Sequence, residues 1–391
     1  MMRHDTKPFP SFKDMMNDVV DYGSCCECGS CVVVCPYDVI HYIDGKPKQV
    51  AKPDAAFDYC AVSEGIGCDV CASVCPRLTP REGDLYDRVF GGDRPFSENF
   101  GVYRSIFAAR CKDERVLQGA QDGGVVTAIL AWALRQGFIE GAVVSALDGG
   151  KLCQPVPKVV TTEEELIASA GSWYTYCPNN LALRQAREQG LSKVAFVGTP
   201  CQITPLRKMQ YMDDAHLEGP KKKAKNIERQ KDHLHGFATN VVFSIGLLCS
   251  EVFTYEGLME QKIEQEMGIP LSEVEKFNVK GKVLIYKKDR EVVELNLKEA
   301  QQHARPECHH CGDFSAELAD ISCGGVGAMG WTITIARTKK GEEILTRLIE
   351  QGVIETRPIE EFERSWKILK RLTRLQRERV PVPPWLGGDG D

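Results

Sequence analysis

Downstream of about Gly101 the chain alternates short apolar runs with segments whose apolar residues recur at helical spacing. Ile106–Arg110 is strand-like, and Glu114–Gly137 has a helical period interrupted at Asp122–Gly124. Ala142–Ala146 reads as a strand, and Thr161–Ala170 as a helix opened by a Thr-Thr-Glu-Glu cap. Val194–Val197 and Val241–Leu248 are apolar strands, each running toward a cysteine at its C-terminal end. Thr254–Met267 is an amphipathic helix, and Val283–Lys287 with Val292–Leu297 forms a hairpin around Asp289–Arg290. This alternation predicts an α/β domain with an antiparallel portion.

The first part of the chain has a different texture. Val39–Val50, with His41, Tyr42 and the turn Asp44–Gly45, reads as a short hairpin. Leu78–Asn99 is rich in Gly, Pro and charge, shows no periodicity and reads as a linker. Lys221–His235 is a basic insertion that reads as a solvated loop, with an acidic partner or a polyanionic ligand as the sharper alternative. Phe362–Val380 has apolar residues at helical spacing among many Arg and Lys, as a terminal helix would that packs on the domain or docks on a partner. Pro381–Asp391 is expected to be disordered unless bound.

At 391 residues the chain fits two or three domains, and its 43% hydrophobic content supplies a sizeable core. A formal net charge of -6 argues against general nucleic-acid binding, which needs a basic face. Met1–Lys13 is charged and contains Pro, unlike a secretion signal. Ala128–Leu147 is broken by Arg135 and Glu140, and Val241–Cys249 is too short to span a bilayer. The expectation is a cytoplasmic protein, peripheral to a membrane complex at most. Seventeen cysteines then point to metal or redox chemistry, because a reducing compartment disfavours disulfides.

Cys25, Cys28, Cys31 and Cys35 follow C-x2-C-x2-C-x3-C, with Pro36 next, which is the bacterial ferredoxin run. Three thiolates on one tight loop can cap three irons of a cubane, while the fourth reaches another cluster. Cys60, Cys68, Cys71 and Cys75, followed by Pro76, form a second run whose gap between Cys60 and Cys68 is a loop insertion. Crossed ligation assigns Cys25, Cys28, Cys31 and Cys75 to one 4Fe-4S cluster and Cys35, Cys60, Cys68 and Cys71 to the other. Zinc can also take C-x2-C pairs, but tandem C-x2-C-x3-C-P endings are not its pattern. Cys26 lies beside Cys25, and the spacing to Cys28 favours Cys25 as the ligand.

Four further cysteines stand apart: Cys201 in Gly198-Thr-Pro-Cys-Gln202, Cys249, and the pair Cys308-x2-Cys311. Two of them follow apolar strands, where α/β sheets place functional loops. Together they could supply one more 4Fe-4S cluster; buried inert thiols are the alternative.

Several ordered segments carry a resemblance. They are Ala120-Gln-Asp-Gly-Gly124 with Val126-Thr127, Ala170-Gly171 with Tyr174-Thr175, Gly198-Thr-Pro-Cys-Gln202, Gly246-Leu-Leu-Cys249, Cys308-His-His-Cys311, Ala319-Asp-Ile-Ser322, and Gly327 through Gly330-Trp331. In this order they resemble the coenzyme F420 hydrogenase/dehydrogenase beta-subunit family over about 101–352, and the N-terminal cysteine runs resemble those of its F420H2 dehydrogenase members. The resemblance implies an α+β ferredoxin-like module over 1–85, a linker over 86–100, an α/β flavin-binding domain over 101–355, and a C-terminal helix and tail over 356–391. It implies FAD, a site for coenzyme F420 as substrate, and a third 4Fe-4S cluster on Cys201, Cys249, Cys308 and Cys311. It leaves Cys26, Cys111, Cys153, Cys177 and Cys323 as core or surface thiols.

The cofactor contacts implied by the resemblance are Gln121, Asp122, Gly123, Gly124, Thr127, Gly171, Tyr174, Thr175, Asn179, Gly198, Thr199, Gln202, Lys280, Lys282, Gly327, Gly330 and Trp331. Gly123 and Gly124 each cost about 1 kcal/mol in a helix. Either a backbone approach to a flavin or packing alone explains them. Gly325-Val-Gly-Ala-Met-Gly330 satisfies G-x-G-x-x-G, but the strand-like Trp331–Ile335 follows it, so a nicotinamide-binding Rossmann site is rejected. Lys280 and Lys282 are anion contacts or surface-strand residues. Trp173 stands where family members often carry Lys, so a cation is lost or an indole is gained for stacking.

The chemistry implied by the resemblance is coherent. F420H2 gives up a hydride, two electrons at once, whereas a cubane accepts one, so a flavin must lie between them. The expected activity is an F420 dehydrogenase or reductase delivering electrons to a partner such as an F420H2 dehydrogenase complex, a heterodisulfide reductase, a hydrogenase or formate dehydrogenase, or a sulfite-reducing system. Two rivals stand beside it: a ferredoxin-dependent tetrapyrrole reductase of the same family, and a non-catalytic electron-relay subunit, which the Trp173 departure would fit.

Overall fold

The computed structural model describes residues 10–50, 68–78, 82–211 and 224–382. Its N-terminal segment contains the hairpin expected from Val39–Val50: β1 (Ile40–Ile43) pairs antiparallel with β2 (Lys46–Gln49). Two short helices, Ser30–Val33 and Val70–Val74, carry or flank the cysteine loops. Their Val33, Val34, Val70 and Val74 join one apolar cluster with Leu183, Leu206 and Met209 of the larger domain. Gly29, at φ 77°, lies so close to Leu181 that a Cβ there would come within 2.5 Å of its Cδ2. Only a residue without a side chain permits this approach.

The stretch read as a linker is structured. Glu82–Phe90 is helical, and β3 (Phe96–Glu98) pairs antiparallel with β4 (Gly101–Tyr103). Leu85 and Phe90 are buried against the main core, so tertiary packing overrides the local Gly and Pro content.

The main sheet has eight strands: β5 (Ser105–Cys111), β6 (Gly141–Ala146), β7 (Val156–Val160), β8 (Val194–Gly198), β9 (Val241–Leu247), and three later ones. Between them and the later strands, β10 (Val274–Val279), β11 (Lys282–Lys287) and β12 (Val292–Asn296) form a separate antiparallel sheet. The main sheet is completed by β13 (Ile321–Gly324), β14 (Thr332–Ala336) and β15 (Ile354–Pro358), in the order β15-β5-β14-β13-β9-β8-β6-β7. The central four, β13, β9, β8 and β6, are parallel; the flanks are antiparallel.

Both faces of this sheet are buried, as near-continuous apolar runs in parallel strands require. Val194 and Phe196 of β8 meet helices Ala182–Glu188 and Pro200–Tyr211 on one face. Ala195 and Val197 meet helices Val125–Arg135 and Lys339–Glu350 on the other. Residues 224–235 of the basic insertion read as a loop belong to the helix Ala224–Ala238, whose Leu234 and Phe237 enter the core; Lys221 lies outside the described residues.

The break at Asp122–Gly124 separates helices Glu114–Gly119 and Val125–Arg135 as expected. Its glycines have a packing reason. A Cβ on Gly123 would overlap the carbonyl of Ala109 and sit 2.8 Å from the Thr332 nitrogen, and the Gly123 N–H donates to Thr332 Oγ1 at 3.1 Å. Gly124 caps the following helix at φ 68°. The Thr254–Met267 segment winds as a π-helix over Tyr255–Glu266, and Phe362–Val380 contains the helix Glu363–Glu378.

Candidate metal and cofactor site

Strand β8 leads within two residues into the helix Pro200–Tyr211, whose first turn carries Cys201, and its parallel neighbour β9 ends in the loop that carries Cys249, both at the carboxyl edge where open α/β sheets bind their ligands. Cys308 and Cys311 come from the short 3-10 turn Pro306–His310 and the residue after it. All four cysteines line one cavity, together with Cys26 and Arg77 from the N-terminal segment. Cys25, Cys28, Cys31 and Cys75 line a second cavity, the set that crossed ligation requires. Cys35 and Cys71 are buried in the apolar cluster of the N-terminal segment, and Cys68 packs partly buried on the larger core. Cys60 lies outside the described residues.

The donor set suits iron–sulfur clusters chemically: thiols, buried or half-buried, brought together in fours from separate elements. Among the described residues no three His, Cys, Asp or Glu close on one point as they would about a single ion. Burial pushes the thiol of Cys25 up to about 11 and that of Cys308 up to about 11. Metal loading of these sites therefore releases protons.

Charged side chains stitch the two cavities together. Lys46 Nζ lies 2.6 Å from both Glu27 and Glu307, and Arg305 Nη2 lies 2.5 Å from Glu27. The Arg305 guanidinium also lies over the Tyr176 ring at 4.2 Å, while Tyr176 OH is 3.9 Å from Cys201 Sγ. Thr199 Oγ1 is 3.2 Å from the same sulfur. From the terminal helix, Arg379 donates to the carbonyls of Cys308, at 3.1 Å, and Ser250, and Gln376 to that of Cys249 at 3.4 Å.

The candidate flavin contacts divide. Gln121, Asp122, Tyr174 and Lys280 come together: Gln121 Nε2 donates to Tyr174 OH and to Asn278 Oδ1, the latter at 3.2 Å, and Lys280 Nζ lies 2.6 Å from Asp122. Gly325 abuts Asp122 and Lys280 from the neighbouring turn. Gly171 and Tyr174 adopt positive φ, and Thr175 Oγ1 is buried without a hydrogen-bond partner, so this corner suits a group that brings a donor or acceptor.

Other contacts face elsewhere or are committed. Asn179 bonds Ser145 Oγ and the Val197 carbonyl, and Gln202 bonds the Thr199 N–H and the Cys177 carbonyl. Gly198 closes β8 beneath them, and Thr127 sits on the first turn of the helix after Gly124. Lys282 pairs with Glu294 on the exposed hairpin. Gly327 and Gly330 are turn residues at positive φ, and Trp331 lies between Arg357 and Phe362. Trp173 packs edge-on against Phe277 at 6.0 Å.

Sequence reasoning passed over Arg77, Arg305, Arg379, Glu27, Glu307 and Asn278. The usable signal was adjacency: Arg77 follows Cys75-Pro76, Glu27 sits between Cys25 and Cys28, and Arg305 and Glu307 precede Cys308. A separate cavity of about 480 Å³, lined by Arg207, Asp320 and Arg337, holds none of the cysteines. Its Arg207 and Asp320 pair with each other at 2.9 Å.

Cysteine sets in fours, seated on the carboxyl edge of a doubly wound sheet and on an adjoining ferredoxin-type hairpin, define an iron–sulfur electron-transfer protein. Comparison with known proteins agrees. Residues 106–184 and 191–362 match the N-terminal and C-terminal parts of the coenzyme F420 hydrogenase/dehydrogenase beta subunit, and residues 18–41 match a 4Fe-4S binding domain. The chain is 38% identical over 283 residues to the coenzyme F420 hydrogenase subunit beta of Methanothermobacter thermautotrophicus, covering 72% of this chain and 93% of that one. It is 36% identical over 366 residues to the coenzyme F420-dependent sulfite reductase of Methanocaldococcus jannaschii, covering 93% of this chain and 51% of that one. It is 28% identical over 361 residues to a subunit of the F420H2 dehydrogenase of Methanosarcina mazei, covering 90% of each. A chain in the F420-reducing NiFe hydrogenase complex of Methanosarcina barkeri superposes with a TM-score of 0.64 at 33% identity, covering 73% of this chain and 92% of that one. The chain belongs to the coenzyme F420 hydrogenase/dehydrogenase beta-subunit family. No helix among the described residues is long and apolar enough to cross a membrane.

Proposed function

We propose that this chain is the electron-input subunit of an F420-linked oxidoreductase. It takes a hydride from F420H2, or returns one to F420, and passes the two electrons singly to a partner complex. The observation that carries this reading is the pair of adjoining thiol cavities. One is lined by Cys201, Cys249, Cys308 and Cys311, the other by Cys25, Cys28, Cys31 and Cys75, with Cys26 and Arg77 in both walls. In this reading each set holds a 4Fe-4S cluster, and Cys35, Cys60, Cys68 and Cys71 hold a third.

Gln121, Asp122, Tyr174, Thr175 and Lys280 would hold FAD, which would supply the conversion between one two-electron step and two one-electron steps. The chain's own residues would orient it: Asn278 and Tyr174 fix Gln121, and Asp122 fixes Lys280. Oxidation of F420H2 releases one hydride and one proton, so two electrons leave through the cysteine sites while protons return to solvent. The partner is a complex of the kind named for the relatives, a hydrogenase, a dehydrogenase or a sulfite-reducing enzyme.

The test is anaerobic. FAD-replete protein is mixed with F420H2, and the flavin and F420 bands are followed together. Flavin bleaching with growth of oxidised F420 is expected. A flavin that dithionite reduces but F420H2 does not would overturn the F420 assignment and leave the relay subunit, a reading favoured by Lys280 being already neutralised by Asp122.

A further inference from the structure

Arg77 holds together two cysteine loops that lie far apart in the chain. Its Nε donates to the carbonyl of Ser24 at 3.1 Å, Nη1 to that of His310 at 2.5 Å, and Nη2 to that of Glu307 at 3.2 Å. Ser24, His310 and Glu307 immediately precede Cys25, Cys311 and Cys308. One guanidinium therefore grips the backbone at the entry to three candidate ligands, two in one set and one in the other. Cys26 shares this wall, and Tyr22 packs edge-on against His310 at 5.3 Å alongside it.

The charge of Arg77 is the unusual part. The neighbouring cations Lys46 and Arg305 are matched by Glu27 and Glu307, and Arg379 by Glu251 at 3.3 Å. The bonds of Arg77 go to backbone carbonyls and to the Cys311 thiol, and among the described residues no carboxylate pairs with it. A guanidinium stays charged at all working pH values, and a partly buried one without a counter-ion is costly. The groups left to balance it are the thiolates of the two sites it lines.

We propose that Arg77 is the positioning residue that couples these two sites. It fixes the Cys201/Cys249/Cys308/Cys311 site against the Cys25/Cys28/Cys31/Cys75 site, and its charge, matched by no carboxylate among the described residues, raises the midpoint potential of a cluster bound at the junction. The proposal rests on the reading that both sets hold 4Fe-4S clusters. Reduction of a cubane adds one electron and one negative charge with no bond made or broken. A fixed cation at the wall favours the reduced form, and the step draws its electron from F420H2 in turnover or from dithionite in a titration.

The test is an EPR-monitored redox titration of the reconstituted full chain with dithionite, comparing wild type, Arg77→Gln and Arg77→Lys. In R77Q with full iron, the reduced-to-oxidised ratio of a junction cluster at fixed potential should fall at least about tenfold, a shift of about 59 mV for one electron. R77K, which keeps the charge, should stay near wild type. Full iron with unchanged potentials in R77Q overturns the proposal. A second measurement on the wild-type protein does not depend on how the variants fold. With all clusters reduced, the Cys201/Cys249/Cys308/Cys311 site should couple to the N-terminal pair and give a three-cluster interaction spectrum; a spectrum that is the plain sum of a coupled N-terminal pair and an isolated cluster overturns the junction. Iron content keeps the premise separate. About twelve iron atoms per chain are expected from three cubanes; a wild-type protein short by a whole cluster would remove the function reading and the proposal with it, whereas full iron with unchanged R77Q potentials would remove the role of Arg77 alone.

Discussion

Glu27 and Arg305 meet across the junction between the N-terminal cysteine loop and the loop that leads to Cys308, with Glu27 Oε2 2.5 Å from Arg305 Nη2. The side chains are 17% and 6% exposed, so the pair is largely shielded from screening. Lys46 and Glu307 extend it into a four-residue network, with Arg305 Nε 3.8 Å from Glu307. Breaking a buried pair by removing one member typically costs about 3–5 kcal/mol; here the remaining partners soften the loss to roughly 2. A double-mutant cycle with Glu27→Gln and Arg305→Met, read by anaerobic urea unfolding, should give a coupling of about 1–3 kcal/mol. Strict additivity would mean that the network does not dock the two segments.

Asp320 is the analogous anchor within the larger domain. Its Oδ2 accepts from Ser244 N–H at 2.8 Å and meets Arg207 Nη2 at 2.9 Å, while Oδ1 accepts from Thr338 Oγ1 at 2.7 Å. Burial works to raise its pKa, but Arg207, Thr338 and Ser244 prevail and hold the carboxyl below its ordinary value. Asp320→Ala strands Arg207 and should cost about 3–5 kcal/mol in thermal or urea unfolding. Since the folded value is depressed, the stabilisation is present above the unfolded carboxylate value of about 3.9 and is lost as pH falls through the folded value. A mild effect, below about 1 kcal/mol, would contradict this role.

Lys280 and Lys282, two residues apart, should differ sharply in their response to substitution by Met. Lys280 Nζ is 2.6 Å from Asp122 with both side chains about one-tenth exposed, whereas Lys282 is half-exposed beside Glu294. Lys280→Met leaves a shielded carboxylate uncompensated at the candidate flavin corner, and a charged hydrogen bond there is worth about 1.5–3 kcal/mol. We expect at least a tenfold rise in KM for F420H2, with less than a twofold change for Lys282→Met. Steady-state kinetics of the two variants side by side check it; equal effects would remove Lys280 from the site.

The local part of this architecture was legible in the sequence. Tandem cysteine spacings, the break at Asp122–Gly124, the Asp44–Gly45 hairpin and the apolar strands running into Cys201 and Cys249 are patterns within a few residues. The illegible part is long-range. The helix Glu82–Phe90 is held by Leu85 and Phe90 on the main core, and its Gly-rich surroundings hide it. In the helix Ala224–Ala238, Ile227, Leu234 and Phe237 recur at helical spacing, but the dense charge between them reads as solvated chain. β10 is hidden because its register shifts between Val274 and Lys276, which breaks the alternation a strand should show. Arg77 and Arg305 reach the same two cysteine loops from distant positions, and no period or spacing marks such convergence.

His233 ties the helix Ala224–Ala238 to the N-terminal cysteine loop and gives that contact a pH dependence. Its Nε2 lies 2.9 Å from the carbonyl of Val34, so the neutral ring donates there, and the ring packs edge-on against Phe237 at 5.2 Å. Burial lowers its pKa; the Val34 carbonyl works the other way, and Arg187, Arg184 and Arg229 lower it further. The folded state therefore takes up this proton less readily than the unfolded chain, whose value is about 6.5. Stability from the neutral ring is complete above that value and declines as pH falls from it through the folded value. His233→Gln keeps a donor for Val34 and removes the titration. Thermal midpoints of the two proteins should run parallel above pH ~7 and diverge below ~6.5, with wild type falling faster. His310, also lowered by burial and by Arg77, titrates in both proteins and cancels in the difference. Parallel curves throughout would show that His233 is not the group through which acid loosens this contact.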